Sequence, residues 1–331
     1  MRGSPPGLLA LSEQDVRQLL DEATALESQR HAFTALGLGQ AQQPGRILME
    51  GTDNTSTFCY AARVDATSGA ACKFGAVVPG NVDRGLPSVS AVIVVLDPDT
   101  GVPAALVDGT SVTTIRTSAA SAVAAEHLAA PGSSVLAIVG SGVQAEAHVR
   151  LMRHVLPLRE VRLVSRTPAA AEAIAARLRD ELDLHVRAVP TTREALCGAH
   201  VVVTATTSQS PVFDHAELAP GATVISVGSY AAGRCEVPRD TVLTAEAVVV
   251  DHREVAGEHA GPVVQAVADG MLDLDAVVEL GAVVTGRQPG RRTENGIVYY
   301  NSVGVGVQDA AAATLLVRRA RQRGFGKAIE L

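Results

Sequence analysis

The stretch VLAIVGSGVQAEAHV, residues 135–149, decides the reading of this chain. Val135–Val139 is an unbroken apolar run rich in branched side chains, the pattern of a strand covered on both faces rather than on one. It ends in Gly140, Gly142 and Ala145, spaced G-x-G-x-x-A, and the residues after them read as a helix. The spacing is weak evidence alone and specific between a buried strand and a helix. Gly140 permits the tight turn, Gly142 lets backbone approach a pyrophosphate, and Ala145 lets helix and strand pack closely. The helix start then offers free N–H groups and the positive end of its dipole to an anion. Contacts to a dinucleotide are therefore expected at Gly140, Gly142, Val143, Gln144 and Ala145.

Downstream the alternation of strands and helices continues, with valine-rich strands such as HVVVTAT (200–206), GATVISVG (221–228) and AEAVVVD (245–251). Strands of this kind on this spacing indicate a doubly wound parallel sheet of the Rossmann type. Thr206, Val227 and Ser302, at the ends of later strands, are expected to complete the nucleotide contacts. The second strand ends LVSRTP (163–168). An enzyme preferring NAD(H) would usually place Asp or Glu there, for the ribose 2′-hydroxyl. Ser165, Arg166 and Thr167 stand there instead, a set suited to charge-assisted bonds with a 2′-phosphate. NADP(H) is thus the preferred cofactor, with NAD(H) possible.

Upstream the texture differs. Residues 11–36 read as a helix opened by a capping box of Ser12 and Asp15. From about 45 to 107, short β-rich runs are separated by turn sequences, the mark of a meander or mixed sheet. RTSAASAVAAEHLA (116–129) reads as an alanine-rich helix capped by Thr117 or Ser118. The expected architecture is α/β: an α+β domain of residues 1–119 completed by 305–331, and a Rossmann domain of residues 120–304.

Composition excludes several classes of function. A formal charge of −7 argues against nucleic acid. No apolar run approaches the roughly 18 residues of a membrane span, and no secretion signal is read in the first residues. Cys59, Cys72, Cys197 and Cys235 form no C-x-x-C pair and read as reduced thiols of a cytoplasmic protein, with no metal site.

Against 26 arginines there are two lysines, Lys73 and Lys327. Lys73 lies in CKFGAVVPGN (72–81), among small apolar residues. An ammonium is a compact charge whose pKa falls on burial, whereas a guanidinium stays charged. Arg46 in PGRILM and Arg116 in TIRTSAAS are the other cations singled out in this half. Arg116, read as preceding a helix N-terminus, would oppose the helix dipole unless an anion lay between them. Together the three outline a carboxylate site. His148 and His154 read as packing or surface residues, and His252, Glu258 and His259 follow a strand end. Asp309 reads as a helix N-terminal residue.

These segments resemble the ornithine cyclodeaminase/μ-crystallin family. The resemblance runs through PGR (44–46), VVPGN (77–81), GLPSVSAVIVVLDPDTGVPAALVDG (85–109), TTIRTSAASAVAAEHLA (113–129), IVGSGVQA (138–145) and NSVGVGVQDAAAA (301–313). It implies a homodimer joined through the sheet of the first domain, and a substrate held between that domain and the nicotinamide. It places Arg46, Lys73 and Arg116 as ligands of the substrate carboxylate. The cyclodeaminase branch carries an Asp where this chain has Tyr230, and another where it has Asn301. The chain is therefore more similar to the reductase and dehydrogenase branch.

The expected reaction is reduction by NADPH of a C=N bond next to a carboxylate, on a small imino or amino acid. Lys73 serves as carboxylate ligand and proton relay, the catalytic residue. The alternatives are an NAD-dependent ornithine- or lysine-type cyclodeaminase and an NADPH-gated small-molecule binding protein without turnover.

Overall fold

A computed structural model describes residues 7–330 apart from residue 54; the N-terminal segment read for a secretion signal lies partly outside it, in residues 1–6. The chain separates into two compact units, residues 1–116 with 305–331 and residues 117–304. The fold is α/β, a Rossmann-type parallel sheet in one unit and an α+β arrangement in the other. Among the described residues no helix is long and apolar enough to cross a membrane.

The first unit is built on a seven-stranded mixed sheet. Its order is Lys327–Ile329, Leu8–Leu11, Pro103–Asp108, Val89–Leu96, Ala71–Val77, Ser56–Ala62 and Ile47–Glu50. All neighbours are antiparallel except Leu8–Leu11 beside Pro103–Asp108. Register sorts the side chains into two faces, because successive residues of a strand point to opposite sides. Tyr60, Lys73, Ile93 and Val107 align across four strands on one face. Ile47, Cys59, Phe74 and Val92 form the neighbouring row on the other.

The helix Gly306–Arg323 packs along the first face. Its alanine run 310–313 is buried throughout, and small side chains let the axis approach the strands. A Cβ on Gly306 would sit 3.3 Å from the Ala61 carbonyl oxygen, so the helix start is pressed against the sheet. The opposite face is uncovered in the single chain: Ile47 is 59% exposed and Phe74 50%. Cys59 and Cys72 adjoin on that face, with sulfurs 3.4 Å apart.

Two readings of the first half need correction. The expected helix over 11–36 is two helices, Glu13–Leu19 and Glu22–Gly37. The Ser12–Asp15 capping box forms as expected, but Asp21 caps a second start through the Thr24 N–H. The alanine-rich helix begins at Gly109 and not at Thr117 or Ser118; it runs to Leu128. Asp108 accepts the Ser111 N–H and so helps satisfy the first turn. Arg116 is therefore inside the helix, and the dipole argument attached to it does not apply.

The second unit holds eight strands, all parallel to their neighbours. The order is Val278–Glu279, Ala247–Val250, Val298–Asn301, Thr223–Ser226, Val201–Thr204, Val135–Val139, Glu160–Val164 and His185–Ala188. The first of these strands in sequence, Val135–Val139, is thus interior. The chain runs first to Glu160–Val164 and His185–Ala188 on one side and then to the strands on the other, where Val298–Asn301, the last in sequence, is inserted between Thr223–Ser226 and Ala247–Val250. Parallel crossovers are right-handed, so reversing direction puts helices on both faces. The crevice at the carboxyl ends of Val135–Val139 and Val201–Thr204 is the topological switch point, where such sheets bind ligands.

Candidate active site

In the second unit, a cleft of about 450 Å³ opens at that switch point. Six of the expected nucleotide residues line it: Gly140, Gly142, Ser165, Arg166, Thr167 and Thr206. Gly140 holds φ +134°, and a Cβ there would meet the Ala205 carbonyl oxygen at 2.5 Å. A Cβ on Gly142 would have no atom within 4 Å, so that side of the loop is open to a ligand. Gly142 N-caps the helix Val143–Met152 without any side-chain cap bond, so no side chain of the cap residue stands between the positive end of the helix and an anion. Ser165 and Ser141 bridge the ends of the first two strands, their hydroxyl oxygens 2.7 Å apart. These residues fit a dinucleotide pyrophosphate.

Val143, Gln144, Ala145, Val227 and Ser302 do not line this cleft. Ala145 is buried under the helix, and Val143 is 72% exposed. The Ser302 N–H is spent on the Ser226 carbonyl. His148, one of the two histidines read as packing or surface residues, is fully buried; it bonds the Gln144 carbonyl and the Ser121 hydroxyl. Burial pushes its pKa down to about 4, so it is a neutral packing residue.

Sequence reasoning passed over two buried carboxylates that shape the carboxyl ends of this sheet. Glu236 accepts the Thr206 N–H on Oε1 at 2.6 Å and the Gly228 N–H on Oε2 at 2.6 Å. Hydroxyls of Thr204 and Ser226 also donate to Oε2. One side chain thereby fixes the ends of two adjacent strands and the start of the cleft-lining loop. Asp251 does the same for the late loop, accepting the Val303 and Gly304 N–H groups on its two oxygens. Asn301 is held at both ends of its amide, by the Tyr299 hydroxyl and the Ser229 carbonyl.

In the first unit, Lys73 and Arg116 meet on one carboxylate. Lys73 Nζ lies 2.7 Å from Asp309 Oδ2, and Arg116 Nε donates to Asp309 Oδ1 at 3.1 Å. The three side chains are between 1% and 5% exposed, so this is a buried cluster. Gln308 completes the hold: its Oε1 accepts from Arg116 Nη1 and from the Val305 N–H. Lys73 also donates to the Thr113 hydroxyl at 3.3 Å and sits 5.0 Å from the Tyr60 ring centroid. Arg46 is not in the cluster itself; it joins through Tyr60, donating to its hydroxyl at 3.4 Å.

The electrostatics follow from this crowding. Burial drives the Lys73 pKa down to about 8; Asp309 pulls it up, and the Arg116 charge adds to the depression. Burial likewise raises the Tyr60 phenol, against the opposing pull of Arg46. Lys73 pairs with Asp309 Oδ2 as an ion pair without an aligned hydrogen bond and donates to Thr113, which leaves an ammonium hydrogen without a protein acceptor among the described residues. Arg116 Nη2 is in the same position. Both unspent donors suit an incoming carboxylate or imine nitrogen.

Tyr60, Thr113, Gln308 and Asp309 were not singled out as site residues from sequence. The available signal was Asp309, an acid immediately before the alanine run 310–313.

The family model described as the ornithine cyclodeaminase/mu-crystallin family matches residues 9–324. The chain belongs to that family. An uncharacterised cyclodeaminase of Sinorhizobium fredii is 33% identical over 330 residues, spanning 98% of this chain and 99% of the relative. The alanine dehydrogenase of Archaeoglobus fulgidus is 29% identical, spanning 97% and 98%. Among solved structures, the Δ1-pyrroline-2-carboxylate reductase of Thermococcus litoralis, in complex with NADH and L-proline, has a TM-score of 0.93. It is 30% identical, and the match covers 97% of this chain and 100% of that one.

The Glu236 brace yields a sharp test. In Glu236→Gln one oxygen becomes an NH2 group that must face a backbone N–H, leaving a buried donor unpaired. The expected cost is about 1–3 kcal/mol, read as a lower urea midpoint at unchanged m-value. Faster amide exchange at Thr206 or Gly228 accompanies it. A variant as stable as the parent contradicts the brace.

Proposed function

We propose that this protein is an NADPH-dependent reductase of C=N bonds adjacent to a carboxylate, producing a cyclic or secondary α-amino acid. The observation that carries the reading is the buried Lys73–Asp309–Arg116 cluster with its two unspent donors. A family relative solved with NADH and L-proline supports it, since proline is the reduced form of a cyclic imino acid.

Arg116 and Lys73 take the substrate carboxylate, and Arg46 extends the positive region beyond Tyr60. Fixing the carboxylate fixes the adjacent imine carbon, the orientation a transfer reaction requires. A nicotinamide dinucleotide held at Gly140, Gly142 and Arg166 would supply the hydride for that carbon. Lys73 supplies the proton to the nitrogen, so the C=N bond becomes CH–NH with charge and atoms balanced. An ammonium near its pKa at physiological pH gives up a proton readily, whereas a guanidinium does not. Reduction needs the protonated form, so it weakens as pH rises through about 8. Oxidation of the amino acid needs the free amine and strengthens over the same range.

Preference for NADPH rests on Arg166, Ser165 and Thr167 lining the cleft where an acid would serve NAD(H). The cyclodeaminase reading is favoured by the Sinorhizobium relative's name. Against it, Tyr230 and Asn301 stand where that branch carries acids, and the Asn301 amide is already committed at both ends. The domain roles follow: residues 120–304 hold the dinucleotide, and residues 1–119 with 305–331 bind substrate and dimerise. The uncovered row of Ile47, Phe74 and Val92, large apolar side chains 39–59% exposed on one sheet face, supports a homodimer through that face.

Two experiments test this. Cyclic and linear imino acids are assayed with NADPH and with NADH. The expected outcome is NADPH-dependent reduction at least about tenfold better in kcat/KM than with NADH, a gap worth about 1.4 kcal/mol, that Arg166→Ala closes. Equal use of both cofactors removes the Arg166 argument. Ammonia release from ornithine or lysine without added reductant overturns the reductase reading. Second, Phe74→Glu puts a charge in the apolar sheet face, and light scattering is expected to show a monomer where the parent is a dimer. An unchanged dimer locates the interface elsewhere.

A further inference from the structure

We infer that Asp309 is the positioning residue of this reaction, a built-in counter-ion that keeps Lys73 an ammonium and aligns it with Arg116 before substrate arrives. The inference rests on the reductase reading for its consequence in catalysis, and on the geometry alone for its effect on Lys73.

The argument begins with the cost of burial. Two cations held on one face of a sheet and 1–5% exposed repel one another and lose hydration. A buried lysine in that position sheds its proton unless a counter-charge holds it. The groups facing Lys73 are few. From the strand Ser56–Ala62 come the rings of Phe58 and Tyr60, and from the neighbouring strand Ile93. From the helix Gly109–Leu128 come the Thr113 hydroxyl and the Arg116 guanidinium. From the helix Gly306–Arg323 comes Asp309, the single anion among these groups.

Asp309 divides its two oxygens between the two cations. That division is geometric as well as electrostatic. The carboxylate pairs its Oδ2 with the Lys73 ammonium as an ion pair and accepts from Nε of Arg116 on Oδ1, Gln308 accepts from Nη1, and Thr113 accepts from Lys73. What remains is one donor on each cation, and a substrate can use both. Asp309 itself is anchored in the first turn of a helix whose start is pressed against the sheet. With Asp309 absent, Arg116 would persist as a cation while Lys73 turned neutral, and the reaction would lose its proton source before its carboxylate ligand.

The test uses the chain's two lysines. Protein labelled with 13C at lysine Cε gives two signals, assigned by Lys327→Arg, and the Lys73 signal is followed against pH. The expected midpoint is near 8 in the parent and lower by about one unit or more in Asp309→Asn. In the full enzyme with bound dinucleotide, the alkaline limb of kcat/KM for imino-acid reduction moves down by the same amount. Asp309→Glu restores both towards the parent. An Asn variant whose Lys73 midpoint stays in place overturns the inference, and so does a loss of activity equal at every pH.

If Asp309→Asn does not fold, Asp309→Glu carries the test. It keeps the parent midpoint while lowering kcat/KM through displaced donors. A Glu variant with parental kcat/KM, or with its midpoint displaced as far as a charge loss would displace it, overturns the inference. Should no imino acid be reduced by the parent, the reductase reading fails by itself, and the Lys73 titration still decides the role of Asp309.

Discussion

The first unit depends on one carboxylate shared between two buried cations. Asp309 faces Lys73 with one oxygen and Arg116 with the other, inside a sheet–helix interface made close by alanines. Buried ion pairs are poor stabilisers, because desolvation can exceed the Coulombic gain. Their presence here is better explained by chemistry than by stability. The cluster carries more positive than negative charge and keeps two donors unspent, so it has an affinity for one more anion.

The second unit shows the same device used for shape. Glu236 and Asp251 bury carboxylates to collect backbone N–H groups from the loops at the carboxyl ends of the parallel sheet. Each commits both oxygens to backbone, which fixes loop geometry more firmly than one hydrogen bond would. The cleft at the switch point thereby gains a fixed wall at Thr206, which Glu236 holds, beside Gly140 and Gly142. Rigid walls around a permissive turn suit a ligand recognised chiefly through phosphates and backbone.

The second unit was largely legible in sequence because its signals are local. An apolar run, two glycines and an alanine at set spacing specify the turn wherever the rest of the chain goes. The first unit was less legible for physical reasons. Leu8–Leu11 and Lys327–Ile329 are short strands from opposite ends of the chain, stabilised by pairing that no local window contains. The helix from Gly109 begins in a stretch of Thr, Val and Ile with low intrinsic helix propensity, which tertiary burial overrides. That shift moved Arg116 from a helix end to a helix interior and replaced a dipole argument with an ion pair. The alignment of Asp309 with Lys73 and Arg116 joins residues 73, 116 and 309, and only the fold brings them together.

The most direct measurement is the structure of the enzyme with NADPH and a bound cyclic α-amino acid. The account predicts the amino acid's carboxylate within hydrogen-bond distance of Arg116 Nη2 and Lys73 Nζ, with Asp309 still paired to both cations. A carboxylate bound away from these donors, or an Asp309 released from Lys73 to bind the substrate nitrogen, would contradict it.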